Sequence, residues 1–419
     1  MHTYHTPLDL VRSRHVESPV VCARPDRVAQ ASHWFQENFP GEVLYAVKAN
    51  PSPWILDVLY ANGTRFFDVA SIPEIQLVRE RCPEARMAFL HPVKSRESIR
   101  RAYYEFGVRI FALDCEAEMA KIVEETNHAD DLILIVRLAV SNDGAMFSLA
   151  GKFGVPAYEA SDLIRKARAH AFELGVSFHV GSQCMQPSAY RSAMMEASRL
   201  IAQAGVTVDI VDVGGGFPSI YPGMNPPPMD EYISSIEDAF EEMMVLENAD
   251  LWCEPGRALV AEAESVLTRV ELVKGDALYL NDGAYGRLFD AAHAKWPFPV
   301  RLHRRKGNGI AGEGETDGET ASFRLYGPTC DSMDAIPGPF DLPADIAEGD
   351  IIEIGMLGAY GTALATNFNG FGAIEYVTVE DMPWPSMFEV QPDKADDSEA
   401  TVISFARARR RRPKLRRRA

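Results

Sequence analysis

The chain has 419 residues, 47% of them hydrophobic, and a formal net charge of −18. It is long enough for one large domain plus a second, which excludes a single small core. An acidic body of this kind repels nucleic acid and favours small cationic ligands. No apolar run reaches the length of a bilayer span, and Met1-His-Thr-Tyr-His-Thr-Pro7 lacks the basic and apolar regions of a signal peptide, so a cytoplasmic protein is expected.

Taken in chain order, Pro19–Ala23 reads as a first short strand. From about residue 24 to 262, apolar runs then alternate with helix-length amphipathic stretches. The expected strands are Val43–Val47, Arg65–Val69, Arg86–Leu90, Arg109–Leu113, Leu132–Leu138, Val176–Val180, Val208–Val213 and Leu251–Cys253. Between them lie helical patterns such as Ile72-Pro-Glu-Ile-Gln-Leu-Val-Arg-Glu80 and Ala157 to Leu174. Eight strands with intervening helices over residues 24–262 predict an α/β fold with a (β/α)₈ barrel of TIM type; a doubly wound sheet is the alternative.

After residue 262 the helical rhythm stops. The segments Val266–Val273, Ala277–Leu280, Ala321–Leu325, Ile351–Ile354 and Ala373–Val379 predict an antiparallel β-sandwich or barrel, a β-rich domain made of residues 1–23 and 263–405. Arg304 to Thr320 is charged and Gly-rich and reads as a long surface loop. Arg407 to Arg418 carries nine basic residues, without which 33 basic residues face 60 acidic ones; residues 406–419 are expected to be a disordered basic tail. Six scattered cysteines without CxxC spacing indicate neither a metal site nor a disulfide framework.

Barrel chemistry collects at the C-terminal strand ends. The first expected strand ends at Lys48, in Leu44-Tyr-Ala-Val-Lys-Ala-Asn-Pro51. A lone lysine there also fits a side chain snorkelling to solvent. A partly desolvated amine, however, loses its proton more readily and can form a Schiff base with an aldehyde such as that of pyridoxal phosphate. Further strands end at Asp68, at Arg137, at His179-Val-Gly-Ser182, at Gly214-Gly-Gly-Phe-Pro218 and at Glu254-Pro-Gly-Arg257. Gly214, Gly215 and Gly216 let backbone N–H groups approach a phosphate, with Ser182 and Arg257 adding a hydroxyl and a guanidinium. Glu254 beside a pyridine nitrogen would keep it protonated and deepen an electron sink, which favours decarboxylation.

These segments, with Tyr45-Ala-Val-Lys-Ala-Asn50, Phe67-Asp-Val-Ala-Ser71, Gly327-Pro-Thr-Cys-Asp-Ser-Met-Asp334 and Gly358-Ala-Tyr360, resemble the ordered motifs of the pyridoxal-phosphate-dependent ornithine decarboxylase family, of the alanine racemase-like fold, from about residue 17 to 380. The resemblance implies a homodimer with shared active sites that makes putrescine from ornithine. Lys48 would hold the cofactor covalently and His179 would stack on its ring. Asp68 and Arg137 would join the cofactor-binding residues, and Ser182, Gly216, Arg257 and Tyr360 would hold the phosphate. Cys330 and Asp331 would come from the opposite subunit, Cys330 returning a proton to Cα. Asp331, Asp334 and Tyr285 would face the substrate. Asp290, after Asp282-Gly-Ala-Tyr-Gly286, comes earlier than the family's further acidic group, and Lys152 resembles a residue that pairs near the dimer interface. Lysine decarboxylase, a dual lysine/ornithine enzyme, a non-catalytic homologue and a racemase are the rival readings. Asp331, rather than Glu, after the cysteine argues against diaminopimelate, and Glu254 argues against a racemase.

Overall fold

The structure is a computed structural model that describes residues 1–141, 144–147, 151–243, 245, 249–294, 296–306, 310–313 and 319–388. Residues 1–388 form one compact unit. The proposed tail at 406–419 lies outside the described residues, as does part of the segment read as a long loop.

Eight parallel strands close into a barrel: β1 (Glu42–Ala46), β2 (Phe66–Val69), β3 (Arg86–Phe89), β4 (Ile110–Leu113), β5 (Ile133–Arg137), β6 (Glu173–Ser177), β7 (Ile210–Asp212) and β8 (Asp250–Cys253). Closure comes from β8 pairing with β1, where Trp252 lies opposite Glu42. That pairing rules out the doubly wound alternative. Both faces of the sheet are buried, which is why the strands read as nearly continuous apolar runs. Outward residues such as Tyr45, Phe67, Phe111, Val136 and Val176 pack in the large core shared with the helices. Inward residues Leu44, Phe66, Ala88, Ile110, Ile135, Ile210 and Trp252 form a separate plug, with the Phe66 and Trp252 rings edge to face at 5.0 Å. Strand β6 contributes Gly175 to this layer because the space is full. A Cβ there would meet Ile135 Cδ1 at 2.5 Å and Ile210 Cβ at 3.0 Å.

Side chains alternate along a strand. The residues two places after the plug therefore also point inward, and on four strands these are Asp68, Arg137, Asp212 and Glu254. The helices that hold the strands are locally specified. Ile72–Arg81 starts at Ser71, whose side chain accepts the Glu74 N–H, and it buries Ile72, Ile75 and Val78 on one face.

Strand β6 lies three residues earlier than expected. Its register against Ile133–Arg137 and Ile210–Asp212 ends it at Ser177, so Phe178 to Ser182 leave the sheet and carry His179 over the barrel mouth. The β-rich part is one ten-stranded sheet around Glu264–Lys274. The antiparallel expectation is corrected at three pairings, since His2–Tyr4 and Val20–Ala23 both run parallel to Glu375–Val379, and Ala277–Leu280 runs parallel to Thr320–Tyr326.

The long-loop reading also fails in part. Val300–Lys306 and Ile310–Glu313 are antiparallel strands. The apolar alternation is missing there because polar side chains are held by acids: buried His303 bonds Glu353 at 2.9 Å, and half-buried Arg304 bonds Asp345 and Asp350. Ala335–Pro343, which pairs with Thr320–Tyr326, was concealed by its three prolines and a glycine.

Candidate active site

Lys48 follows β1 in the short helical turn Val47–Ala49. Its Nζ donates to Asp68 Oδ2 at 2.8 Å. Burial works against its charge, but Asp68 and then Glu254 outweigh that effect and raise its pKa above the usual lysine value. The turn is tied to a distant segment: Asn50 Nδ2 donates to Gly358 O at 2.9 Å, and the Tyr360 N–H donates to Ala49 O at 2.8 Å. The sheet thereby delivers Tyr360 to the barrel mouth.

His179 Nδ1 accepts the Gly181 N–H at 3.0 Å, which leaves the ring proton on Nε2. Burial, with Arg137 and Lys48 nearby, pushes its pKa down to about 3. His179 is therefore a neutral flat ring. Gly214 and Gly216 have φ of +70° and +103°. A Cβ on them would lie 2.1 Å from Phe178 O and 2.4 Å from Gly181 O respectively, and a Cβ on Gly215 would lie 2.6 Å from Glu254 O. The triple glycine thus presents bare backbone between His179 and Glu254.

Arg257 is 6% exposed and heavily committed. Its terminal nitrogens bond Asp290 at 2.6 and 3.3 Å and Tyr221 Oη at 2.7 Å, and its Nε faces Ser182 Oγ at 3.4 Å. Its guanidinium lies 5.1 Å from the Tyr360 ring centroid. Asp290 thus holds Arg257, which accounts for its early place in the sequence. Sequence reasoning missed both Tyr221 and this use of Asp290.

It also missed Asp212, which is fully buried next to Glu254. Burial first, then the Asp212 and Asp68 carboxylates, raise the Glu254 pKa well above the ordinary range. The available signal was an aspartate inside the apolar run Val208–Val213, two residues before the triple glycine.

The donor set suits a pyridoxal phosphate: an amine at Lys48, a neutral ring at His179, a carboxyl at Glu254, a Cβ-free cradle at Gly214–Gly216, and a hydroxyl and guanidinium at Ser182 and Arg257. Arg137 completes the inner ring at the end of β5.

The remaining expected residues lie on the β-rich part. Cys330 is exposed, with its N–H on Asn369 Oδ1 at 3.0 Å. Asp331 accepts the Tyr285 hydroxyl at 2.6 Å and the Met333 N–H at 3.0 Å. Those two bonds hold its carboxyl below the usual range.

The expectation for Asp334 is not met. It is 2% exposed and accepts the Ala284 and Thr329 N–H groups at 2.7 and 3.0 Å. It shapes the turn that carries Cys330 and Asp331, and both of its oxygens are taken by backbone N–H groups. Lys152 is exposed with its ammonium 4.9 Å from the Phe153 ring centroid. Among the described residues no His/Cys/Asp/Glu cluster could hold a metal ion, and no helix is long and apolar enough to cross a membrane.

Residues 26–261 match the family model for the pyridoxal-binding domain of pyridoxal-dependent decarboxylases. The lysine/ornithine decarboxylase of Selenomonas ruminantium is 30% identical over 384 residues, covering 88% of this chain and 92% of the relative. Two solved structures are similar throughout. The arginine decarboxylase of Paramecium bursaria Chlorella virus, bound to agmatine, is 27% identical with a TM-score of 0.75, covering 88% of this chain and 100% of that one. The lysine/ornithine decarboxylase of Vibrio vulnificus, complexed with putrescine, is 27% identical with a TM-score of 0.74, covering 90% and 99%.

Proposed function

Because the chain belongs to the pyridoxal-dependent decarboxylase family, we propose that it decarboxylates a basic amino acid, L-ornithine, to putrescine for polyamine synthesis, as a cytoplasmic homodimer with active sites shared between subunits. The bound cofactor supplies an electron sink for the carbanion left when carbon dioxide departs.

The rest is the work of this chain. Lys48 would provide the amine for the cofactor's aldehyde. His179, neutral and flat, would contact the cofactor without adding charge, and Gly214 to Gly216, Ser182, Arg257 and Tyr360 would hold the phosphate. The observation that carries the reading is Glu254: a buried carboxyl at the end of β8, beside Lys48 and in the ring of inward charges, is placed to keep a ring nitrogen protonated. Cys330 returns a proton to Cα, since a thiol is an acid near neutral pKa.

Substrate choice rests on Asp331. Its carboxylate, held by Tyr285, is the acidic group that would meet a distal ammonium. Cys330 is exposed and Asp331 half-buried in their own chain, and their hydrogen-bond partners Asn369, Tyr285 and Met333 all lie outside the barrel. That placement supports a site completed by a second subunit. A dual lysine/ornithine activity is the second reading, favoured by the Selenomonas relative, because one methylene is worth only about 1–3 kcal/mol of discrimination.

Amine release is measured from ornithine, lysine, arginine and diaminopimelate side by side. We expect the highest kcat/KM with ornithine; a higher value with any of the others overturns the assignment. Glu254→Gln should retain the cofactor and lose about two orders of magnitude in kcat. Unchanged kcat with collapsed cofactor affinity would make Glu254 a binding residue only.

A further inference from the structure

The inner face of the barrel mouth carries more negative than positive charge. Lys48 and Arg137 are cations, and Asp68, Asp212 and Glu254 are carboxylic groups. Of the other titratable neighbours, His179 is neutral, Cys253, which faces the outer core, has its thiol pKa pushed up by burial and then by Asp212 and Glu254, and Glu74, near Asp68 and Lys48, has its carboxyl pKa raised by burial first. Were both Asp212 and Glu254 ionised, two like charges would face each other in buried positions, which a low-dielectric interior resists strongly.

Asp212 shows where the balance is made. Its Oδ1 accepts the Gly214 N–H at 2.9 Å, while its Oδ2 is buried without an ordinary donor among the described residues. The side chain beside it is Glu254. Strands β7 and β8 pair with Asp212 opposite Trp252, so Glu254, two residues further on, takes the same inward face. Its own N–H is fixed on Gly214 O at 2.8 Å. The two buried side chains are neighbours on that face, and two carboxyl groups can bond each other only if one carries a proton.

We propose that Asp212 and Glu254 share a single proton, so that Asp212 is a positioning residue that sets both the protonation and the aim of Glu254. Burial, the first cause for both groups, raises their pKa values, Asp212 to about 6. The consequence for catalysis rests on the reading that Glu254 meets the ring nitrogen. The sharing itself does not.

The test counts charge. Full-length wild type, Asp212→Asn and Glu254→Gln are loaded with pyridoxal phosphate to confirm a folded site, then dialysed free of it. Their net charge is measured at neutral pH by capillary electrophoresis. Replacing an ionised carboxylate by an amide makes a chain one unit more positive. Replacing one member of a proton-sharing pair frees the survivor to ionise, so the charge does not change. We expect both folded variants to match wild type, while the same proteins unfolded in urea differ from it by one unit. A one-unit difference in either folded variant overturns the proposal. Both substitutions are nearly isosteric, and should one fail to fold, the other carries the same two outcomes. If Glu254→Gln keeps full kcat while the charges match, the sharing stands and the ring-nitrogen role falls.

Discussion

Asp68→Asn removes one negative charge 2.8 Å from the Lys48 amine. Two unit charges at that distance interact by about 1.5 kcal/mol in water and about 6 kcal/mol at an effective dielectric of 20. The Lys48 side chain is 42% exposed, so solvent screening places the pair near the lower figure. At 1.36 kcal/mol per pH unit, the lysine pKa should fall by about one to two units. The sign is fixed by the chemistry: only the neutral amine attacks an aldehyde, and Asp68 keeps the amine charged. Cofactor capture by the unloaded protein should therefore accelerate with rising pH, and Asp68→Asn should move the whole profile to lower pH by that amount. Stopped-flow absorbance after mixing with pyridoxal phosphate gives the profile. A profile that stays in place, or moves to higher pH, refutes the role of Asp68 as the group that holds Lys48 protonated.

Mixing Lys48→Ala and Cys330→Ala proteins under subunit exchange should restore about a quarter of wild-type activity, because half the dimers are mixed and each of these has one intact site; parental activity after exchange has been confirmed by mass tagging would show sites built within single chains. His179 should stay neutral from neutral pH down to about 3, which an NMR titration of its ring nitrogens reads directly. Because the unfolded state takes up this proton near the ordinary 6.5 and the folded state only near 3, the His179 contribution to stability is present above 6.5 and drains away as pH falls between those values. Gly175→Val should overfill the barrel plug and destabilise the fold by about 1–3 kcal/mol in urea unfolding, with Gly175→Ala less severe; an unchanged midpoint would mean that the plug can yield.

The barrel was legible because burial on both sheet faces leaves apolar runs of the right number and spacing, and because the chemistry interrupts those runs at their ends. Lys48, Asp68, Arg137, Glu254 and the triple glycine stand out as polar or Cβ-free residues where a strand should finish. Asp212 was passed over because it lies inside a strand pattern rather than after it, and only the inward parity of Ile210 and Asp212 shows that it belongs with the others. Asp290 was visible as a residue but not as the partner of Arg257, since 33 positions separate them and no periodicity links them. Asp334 misled for a different reason. The resemblance set it beside Asp331 facing the substrate, whereas here its carboxyl is turned inward to bind two backbone N–H groups. The strand Val300–Lys306 was hidden by polar side chains, His303 and Arg304, that are held by Glu353, Asp345 and Asp350.

The site divides by mechanical support. The groups assigned to chemistry stand mostly on or just after barrel strands, where parallel register, a filled plug and glycines with no room for a Cβ fix their positions. The groups assigned to substrate choice stand on a turn of the β-rich part, and that turn is set by Asp334, Asn369 and the Tyr285 hydroxyl. A substitution in the barrel mouth should therefore cost turnover with every substrate alike. A substitution at Tyr285 would move Asp331 without touching Lys48 or Glu254, and should change the ratio of kcat/KM between amino acids that differ by one methylene. Because the methylene is worth so little energy, a small displacement of that one carboxylate is enough to reverse the preference. Members of one family can thus act on ornithine, lysine or arginine over nearly the same barrel.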